Sequence, residues 1–196
     1  MKPSSVLQGK HILTTRSDEA IISFAEWVTE AGGICSNIPL VGFSSVTLPE
    51  QDRNKLLNIN EYDWIILTSK NGVEYFFKQV ETGPLLPHVA CIGDKTAAAL
   101  MEHGITPQFI PSEFVAESFA AEFLPILNKQ SKVLVAKGNL ARDYIKEILH
   151  GSGHTCDEII LYENRLPDGS EEALTAHLHA RSFEVIVFAS SSAVNN

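Results

Sequence analysis

The chain has 196 residues, and its 24 acidic residues against 15 lysines and arginines give a formal net charge of −9. This acidic balance argues against a protein that wraps nucleic acid, because such proteins need basic surfaces to neutralise phosphates. Hydrophobic residues make up 44 %, as in ordinary folded domains, and no apolar run approaches the roughly 20 residues that span a bilayer.

Short apolar runs alternate with amphipathic segments along the chain. The predicted strands are His11–Thr15, Ile34–Leu40, Trp64–Thr68, Val89–Gly93, Gln108–Ile110, Val133–Ala136, Thr155–Tyr162 and Val185–Ala189. The predicted helices are Ser17–Gly32, Ser69–Gln79, Lys95–His103, Val115–Leu127, Ala141–His150 and Glu171–His179. The strands are apolar without strict alternation, which is typical of a parallel sheet covered on both faces. The pattern therefore predicts a doubly wound α/β architecture.

Two segments lack these patterns and are interpreted as connections. Val41–Pro49 has few helix signals and ends in a proline. Glu163–Gly169 contains the turn signature Pro-Asp-Gly.

The sequence repeats itself when it is shifted by 121 positions without a gap. His11–Arg16 then aligns with Lys132–Lys137, and 12 of the 75 aligned positions are identical, against roughly 4–5 expected by chance. A repeat of this length indicates an internally duplicated domain. A complete second copy would end about 45 residues beyond Asn196, so we expect closing C-terminal elements to be missing from this chain. Two alternatives stay open: a fragment of a longer protein, or a protein that is naturally short.

The two connections occupy equivalent positions in the repeat, which predicts that the chain crosses twice between two domains. The first α/β domain is then discontinuous and incomplete, formed by residues 1–40 and 168–196. Residues 48–160 form the second α/β domain, and residues 41–47 and 161–167 form the connector.

The three cysteines, Cys35, Cys91 and Cys156, lie in or beside apolar stretches. Their odd number predicts buried free thiols in a reducing compartment. The first ten residues lack the apolar core and cleavage-like site of a signal peptide. We therefore expect a cytoplasmic protein.

The histidine and glycine spacings argue against a metal or dinucleotide site. His150 and His154 are separated by a glycine-rich break, and His177 and His179 point in different directions on a predicted helix. Gly151–Gly153 follows a helix and precedes a strand, the reverse of the order in a dinucleotide-binding turn. We therefore expect neither a bound metal nor a nucleotide.

Hydroxyl, amide and basic side chains follow several predicted strands, at the edge where ligands bind in open α/β sheets. Each turn leads into a helix N-terminus, whose free N–H groups attract anions. The candidate substrate-binding residues are Thr15, Arg16, Thr68, Ser69, Lys70, Asn71, Gly93, Lys95, Thr96, Lys137, Ser190 and Ser191. Helix capping is the alternative for any single turn. Five such turns on one edge favour a cleft for a large ligand with several carboxylates or phosphates.

These turns resemble those of the uroporphyrinogen-III synthase family. The similarity rests on Leu13–Arg16, Asp63–Val73, Cys91–Ala97 followed by Gly104, Ile110–Ser112, Gly153 before a strand ending in Leu161–Glu163, and Val187–Ser191. The resemblance implies two α/β domains joined by a two-stranded connector, with the active site in the cleft between them. It also implies a reaction of haem biosynthesis: hydroxymethylbilane, a linear tetrapyrrole with eight carboxylates, is cyclised and dehydrated with inversion of its last ring.

The resemblance further implies a lyase that needs no cofactor. It places the catalytic role on Tyr162, whose phenol can donate a proton to the departing hydroxyl group. Thr96 corresponds to a threonine in the family's Gly-x-x-Thr-Ala turn. A half-buried strand aromatic is the alternative for Tyr162, and a helix-start residue is the alternative for Thr96. The net charge of −9 opposes an anionic substrate at long range, so local cations and helix N-termini must outweigh it.

The partners expected from this resemblance are the small-molecule tetrapyrrole and, in transient contact, hydroxymethylbilane synthase. We expect a monomer that binds neither nucleic acid nor a membrane. Two other hypotheses stay open at this point. One is a non-catalytic tetrapyrrole- or anion-binding module on the same fold, and the other is a structural fragment with no function of its own.

Overall fold

The computed structural model describes residues 6–17, 20–80, 86–189 and 192–195. Its strands are β1 (His11–Thr14), β2 (Ile34–Asn37), β3 (Gly42–Ser45), β4 (Trp64–Leu67), β5 (His88–Cys91), β6 (Lys132–Gly138), β7 (Thr155–Arg165) and β8 (Val185–Val187). Its helices are α1 (Ala20–Glu30), α2 (Glu50–Leu57), α3 (Lys70–Gln79), α4 (Asp94–Glu102), α5 (Ala116–Phe123), α6 (Tyr144–Gly151), α7 (Ser170–Ala180) and α8 (Ser192–Asn195). Short 3₁₀ turns occupy Ile59–Glu61 and Leu124–Ile126.

The chain divides into two compact units. The first unit comprises Met1–Phe43 and Asn164–Asn196, and the second comprises Ser44–Glu163. Among the described residues, the strands form a three-stranded sheet in the order β2-β1-β8 and a five-stranded sheet in the order β3-β7-β6-β4-β5. The pairs of β1 with β2 and β8 are parallel, as are those of β4 with β5 and β6 and that of β6 with β7.

The strand registers reproduce the sequence repeat. Ile12 pairs with Cys35 in the first unit, and 121 positions later Val133 pairs with Cys156 in the second. The same shift carries the β1–β8 register onto the β6–β4 register. The order β2-β1-β8 therefore has the same pairing as β7-β6-β4, so the two halves share backbone geometry as well as sequence.

The five-stranded sheet is covered on both faces, which confirms the predicted α/β architecture. One face packs on a core that includes Phe76 of α3 and Leu100 of α4. The other face packs on Phe119 and Phe123 of α5 and on Leu149 of α6. Both faces of the strands are therefore apolar, which explains why their sequences do not alternate.

The first unit has a smaller core. Leu13 of β1 lies at its centre and is fully buried, with Ile38, Leu40, Val41 and Ala193 around it. α1 also carries apolar residues on its solvent side: Ile22 is 64 % exposed and Trp27 is 60 % exposed.

Several predicted elements differ from the structure. The strand expected at Gln108–Ile110 is only an isolated bridge from Phe109 to Ala90, because Pro107 and Pro111 flank it and lack the N–H groups that would extend a ladder. The connection expected at Val41–Pro49 contains β3, which lies beside β7 in the sheet. β7 itself continues to Arg165, beyond the predicted strand end at Tyr162.

The buried thiols are unreactive at neutral pH. Cys35, Cys91 and Cys156 are all free, and the last two are buried. Burial, with a smaller contribution from Asp94, raises the pKa of the Cys91 thiol to about 11. Burial and nearby carboxylates raise the pKa of Cys156 to about 12. Because the thiolate is the reactive form, both side chains act as small apolar residues at neutral pH.

No helix in the described part of the chain is long and apolar enough to cross a membrane.

Candidate active site

A β-bulge near the carboxyl end of β7 directs the Tyr162 side chain. Lys137 of β6 pairs with Ile160, but the next residue, Gly138, pairs with Tyr162, so Leu161 is an extra residue on β7. Successive residues of a regular strand point to opposite faces, and a bulge changes that alternation. Leu161 and Tyr162 consequently belong to the same core, and Tyr162 is only 8 % exposed.

The Tyr162 ring is held between an aromatic ring and a glycine backbone. The ring of Tyr75, from α3, stacks on it with centroids 5.3 Å apart and an interplanar angle of 21°. On β6, a Cβ atom at Gly138 would lie 2.5 Å from the Cζ atom of Tyr162 and 2.8 Å from its Oη. Any larger residue at position 138 would therefore displace the phenol. Tyr75 is itself covered by the Lys78 ammonium, 4.6 Å from its ring centroid.

The Tyr162 hydroxyl lies beside the N-terminus of α3. Its Oη atom is 2.9 Å from the Ser69 Oγ atom. Ser69 is the N-cap of α3, and its Oγ accepts a hydrogen bond of 2.9 Å from the Gly72 amide. This capping satisfies one of the free N–H groups of the first turn. The structure thus joins Tyr162 and Ser69, two residues that lie 93 positions apart in the sequence.

The other candidates in the second unit surround two adjacent strand ends. Thr68 follows β4 and precedes Ser69, while Lys70 and Asn71 begin α3. After β5, Gly93 is the N-cap of α4 with φ 89°, a left-handed conformation that favours glycine. Lys70 and Lys95 are exposed, so both ammonium groups are accessible to an anion.

Thr96 is a buried residue of the first turn of α4. It is 3 % exposed, and its hydroxyl donates a hydrogen bond of 3.1 Å to the Ile92 carbonyl oxygen. The Thr96 hydroxyl hydrogen is therefore committed to a hydrogen bond within the turn. This favours a structural role at the helix start over direct contact with a substrate.

We expect Thr96→Ala to have a small effect on both stability and activity. One neutral hydrogen bond contributes about 0.5–1.5 kcal/mol, which corresponds to roughly 2–13-fold in an equilibrium or a rate. Chemical denaturation and steady-state turnover measure the two effects. A loss of turnover above about 100-fold with unchanged stability, far beyond that range, would instead make the Thr96 hydroxyl a direct contact of the substrate.

Lys137 lies in a buried ion network rather than in the open. Its ammonium is 2.5 Å from Asp143 and 2.6 Å from Glu158, and its side chain is 4 % exposed. Lys146 of α6 shares Glu158 at 3.1 Å. Burial alone would lower the pKa of Lys137, but its hydrogen bonds to the two carboxylates outweigh it and the pKa is raised. Lys137 therefore stays charged, and its charge is already balanced by two protein carboxylates.

The acid stability of the second unit should depend on Asp143. The hydrogen bond from Lys137 holds the pKa of this carboxyl below its ordinary value. Between the lowered pKa and the ordinary value of about 3.9, the unfolded chain binds more protons than the folded one. The free energy of unfolding should therefore rise with pH across that interval and fall as acid is added. We expect Asp143→Asn to flatten this rise in urea titrations between about pH 2.5 and 5, and an unchanged slope would contradict the role of Asp143.

The candidates of the first unit follow β1. Thr15 is 2 % exposed, and its hydroxyl donates a hydrogen bond of 3.3 Å to the Val187 carbonyl oxygen of β8. Arg16 is half-buried and lines an open pocket of about 320 Å³ together with Ser17, Asn37 and Pro167. Asn37 donates to the Arg16 carbonyl oxygen at 3.0 Å. Ser190 and Ser191 lie outside the described residues.

The repeat makes Arg16 the counterpart of Lys137. The counterparts of Asp143 and Glu158 are Ile22 and Asn37, so the two carboxylates that surround Lys137 have no equivalents beside Arg16.

In the described part of the chain, no group of three His, Cys, Asp or Glu side chains is placed to hold a metal ion.

Comparison with known sequences identifies the family of the chain. The sequence model described as "Uroporphyrinogen-III synthase HemD" matches residues 23–196. The chain belongs to the uroporphyrinogen-III synthase family. A uroporphyrinogen-III synthase of Synechococcus elongatus is 30 % identical over 97 % of this chain and 74 % of its own length. The "Porphyrin biosynthesis protein HemD" of Ruminiclostridium josui is 29 % identical over 96 % of this chain, which spans 38 % of that protein.

Solved structures of the family share this fold. A uroporphyrinogen-III synthase mutant from Thermus thermophilus aligns with a TM-score of 0.68 and 16 % identity, covering 95 % of this chain and 75 % of its own. The enzyme from Helicobacter pylori aligns with a TM-score of 0.55 and 18 % identity, covering 94 % and 85 %. The resemblance seen in the strand-end turns of the sequence is thereby confirmed at the level of family and fold.

The residues that hold the Tyr162 ring, Tyr75 and Gly138, are not indicated by the sequence pattern. Tyr75 lies on α3 in an ordinary amphipathic pattern, which carries no sign of a stack with Tyr162. Gly138 follows Lys137 at a strand end, where a glycine in a turn is common and does not indicate a close contact with a side chain. The bulge at Leu161 leaves no mark in the local sequence. Of the two carboxylates around Lys137, Asp143 stands at the start of α6, six residues along the chain, whereas Glu158 lies on β7 and is brought to Lys137 only by strand pairing.

Proposed function

We propose that the chain carries out the uroporphyrinogen-III synthase reaction in haem biosynthesis. In this reaction hydroxymethylbilane loses water and closes to uroporphyrinogen III, with inversion of its last pyrrole ring. The observation that carries the proposal is the tyrosine hydroxyl held beside the N-terminus of α3. Tyr162 is fixed there by the β7 bulge, the Tyr75 ring and the Gly138 backbone, in a chain that belongs to this family.

Tyr162 is proposed as the acid that helps the hydroxyl group leave. The phenol gives its proton to the departing hydroxyl, which leaves as water, and the bilane becomes a cationic azafulvene. The last ring attacks through a substituted carbon and passes through a spiro-type intermediate. The ring proton lost at the end can return to the phenolate, so the acid is restored and no co-reactant is consumed.

The eight carboxylates of the bilane explain the polar turns. We propose that Lys70, Lys95 and Arg16 supply cations, and that the α3 and α4 N-termini supply free N–H groups. The remaining proposed contacts are Thr15, Thr68, Asn71, Gly93, Ser190 and Ser191. Thr96 is better assigned to the start of α4, because its hydroxyl donates to the Ile92 carbonyl oxygen, and Ser69 to the start of α3, where its Oγ caps the helix beside Tyr162. Lys137 is better assigned to supporting the strand end from within, because Asp143 and Glu158 already neutralise it.

The proposal extends to the domain organisation of the chain, its oligomeric state and its partner proteins. The two compact units are proposed to be the two domains. Residues 1–40 and 168–196 form the first domain, and residues 48–160 form the second. Residues 41–47 and 161–167 connect them. We propose a cytoplasmic monomer without a cofactor that contacts hydroxymethylbilane synthase transiently. The free thiols are compatible with a reducing compartment. Sedimentation equilibrium at micromolar concentration tests the monomer.

The test is an isomer-resolved assay with fresh hydroxymethylbilane. Hydroxymethylbilane closes without enzyme to the symmetric type I isomer, so a synthase must raise the type III share as well as the rate. We expect predominantly type III product with the full protein that carries this sequence, and type I product in the buffer control. Thermal protection of the protein by the bilane with only type I product would instead support the tetrapyrrole-binding module.

A further inference from the structure

Ser69 connects the first turn of α3 to the Tyr162 hydroxyl. The Gly72 amide donates to Ser69 Oγ at 2.9 Å, and Ser69 Oγ lies 2.9 Å from Tyr162 Oη. A serine hydroxyl has one hydrogen and two lone pairs. The Gly72 bond occupies one lone pair, so the Ser69 hydrogen is available for the tyrosine oxygen. The three groups can therefore form one chain of hydrogen bonds with a single direction.

We propose that Ser69 is a positioning residue that donates its hydrogen to Tyr162 Oη. The inference rests on the proposed function and specifies how its acid is prepared. With Oη accepting from Ser69, the phenolic hydrogen of Tyr162 must point away from Ser69 and can be directed at the hydroxymethyl group of the bilane. The opposite direction would commit the phenolic hydrogen to Ser69 and withhold that proton from the substrate.

Two features of the site favour this direction. An amide that donates into Ser69 Oγ polarises the hydroxyl and makes its hydrogen a better donor, because chained hydrogen bonds reinforce one another. The N-terminus of α3 also carries partial positive charge, and α3 has 10 residues. Negative charge that develops on Tyr162 Oη is therefore stabilised through Ser69, and the hydrogen bond strengthens as the phenol becomes phenolate.

The proton balance is closed within the site. The O–H bond of Tyr162 breaks as its proton joins the departing hydroxyl, and the resulting phenolate keeps the hydrogen bond from Ser69. Ser69 itself neither gains nor loses a proton. When the attacked ring releases its proton, the phenolate takes it back. Ser69 therefore acts only through Tyr162, which distinguishes this role from the direct substrate contact expected from the sequence.

A double-mutant cycle separates the two roles. Ser69→Gly removes the hydroxyl and is well tolerated at an N-cap, whereas Ser69→Thr keeps both the cap and the hydroxyl. We expect Ser69→Gly to lower kcat roughly 10–100-fold with little change in KM, as for a hydrogen bond to a developing charge. Ser69→Thr should restore kcat to within about 3-fold. In a Tyr162→Phe background, Ser69→Gly should change kcat by less than about 2-fold.

Additive losses in the cycle, or a rise in KM without a fall in kcat, would overturn the proposal in favour of direct substrate contact. Ser118→Ala is the matched control, because Ser118 also lies in the first turn of a helix and its hydroxyl binds an exposed carboxylate, Glu113. Circular dichroism of each variant checks that the fold is retained.

A spectroscopic measurement tests the bond without turnover. The ¹³Cζ resonance of Tyr162 is assigned by its loss in Tyr162→Phe. Only a phenol that donates a hydrogen bond gains phenolate character, so losing an accepted bond and losing a donated bond move this resonance in opposite directions. We expect Ser69→Gly to move it in the direction of a lost accepted bond. The opposite shift, or none, would overturn the proposal even if the protein forms type III product. Absence of type III product with the expected shift would overturn the proposed function alone.

Discussion

Tyr162→Phe is expected to slow formation of uroporphyrinogen III by roughly 10–1,000-fold, within and somewhat below the usual range for one positioned acid. The substitution removes the phenolic donor and very little volume. The ring should stay between Tyr75 and Gly138, so folding should be nearly unchanged. Because hydroxymethylbilane also closes spontaneously, the type I share should rise as the uncatalysed route overtakes the enzyme. Chromatography of the two oxidised isomers measures both effects.

Tyr62→Phe is the matched control for this prediction. Tyr62 is also a buried tyrosine of the second unit, and its hydroxyl donates a hydrogen bond of 2.7 Å to Asp157. Its loss should cost about 1.5–3 kcal/mol of stability, as for a hydrogen bond to a charged group, without changing the isomer ratio. If Tyr162→Phe kept the wild-type rate and isomer ratio, the acid role would be wrong. Substrate shape and backbone amides would then have to carry the reaction.

Lys137→Met is expected to destabilise the second unit by about 3 kcal/mol, the lower end of the range for breaking a buried ion pair. The substitution keeps an unbranched side chain but leaves Glu158, whose side chain is 14 % exposed, without its closest cation. The cost stays at the lower end because Lys146 still binds Glu158 at 3.1 Å and Asp143 is largely exposed. Hydrogen exchange of the β6 amides measures the change in this unit directly.

Lys132→Met provides the comparison on the same strand. Lys132 forms a more exposed ion pair with Glu61 at 3.2 Å, and such pairs contribute about 0–1 kcal/mol. The double variant Lys137→Met with Glu158→Leu should recover much of the loss, because it removes both buried charges together. Equal effects of Lys137→Met and Lys132→Met would show that Lys137 does not depend on its buried partners, and would return it to the list of substrate-binding candidates.

Much of the fold was accessible from sequence because it is encoded locally and then repeated. Apolar runs predicted β1, β4, β6 and β8, and the repeat predicted an internally duplicated domain. The segment Gln108–Ile110 has the pattern of a short strand, but its two flanking prolines limit it to the isolated bridge at Phe109. α2 was not predicted, because only Leu56 of its eight residues is buried and the segment reads as a polar connection.

The sequence by itself determined the α/β class, the duplication, the family and the strand ends at which polar residues collect. The spacing of hydrophobic residues and the choice of turn residues are properties of residues that lie close together in the chain. The duplication is a property of residues related by a fixed shift of 121 positions. Only the tertiary structure decided which of the candidates meet. Tyr162 reaches Ser69 because a bulge at Leu161 changes the direction of the side chain, and a bulge depends on the partner strand. Lys137 is neutralised because folding brings Glu158 of the neighbouring strand against it, 21 positions away. The charge of a side chain can be read from its residue type, but the residue that neutralises it is determined by the packing of distant parts of the chain.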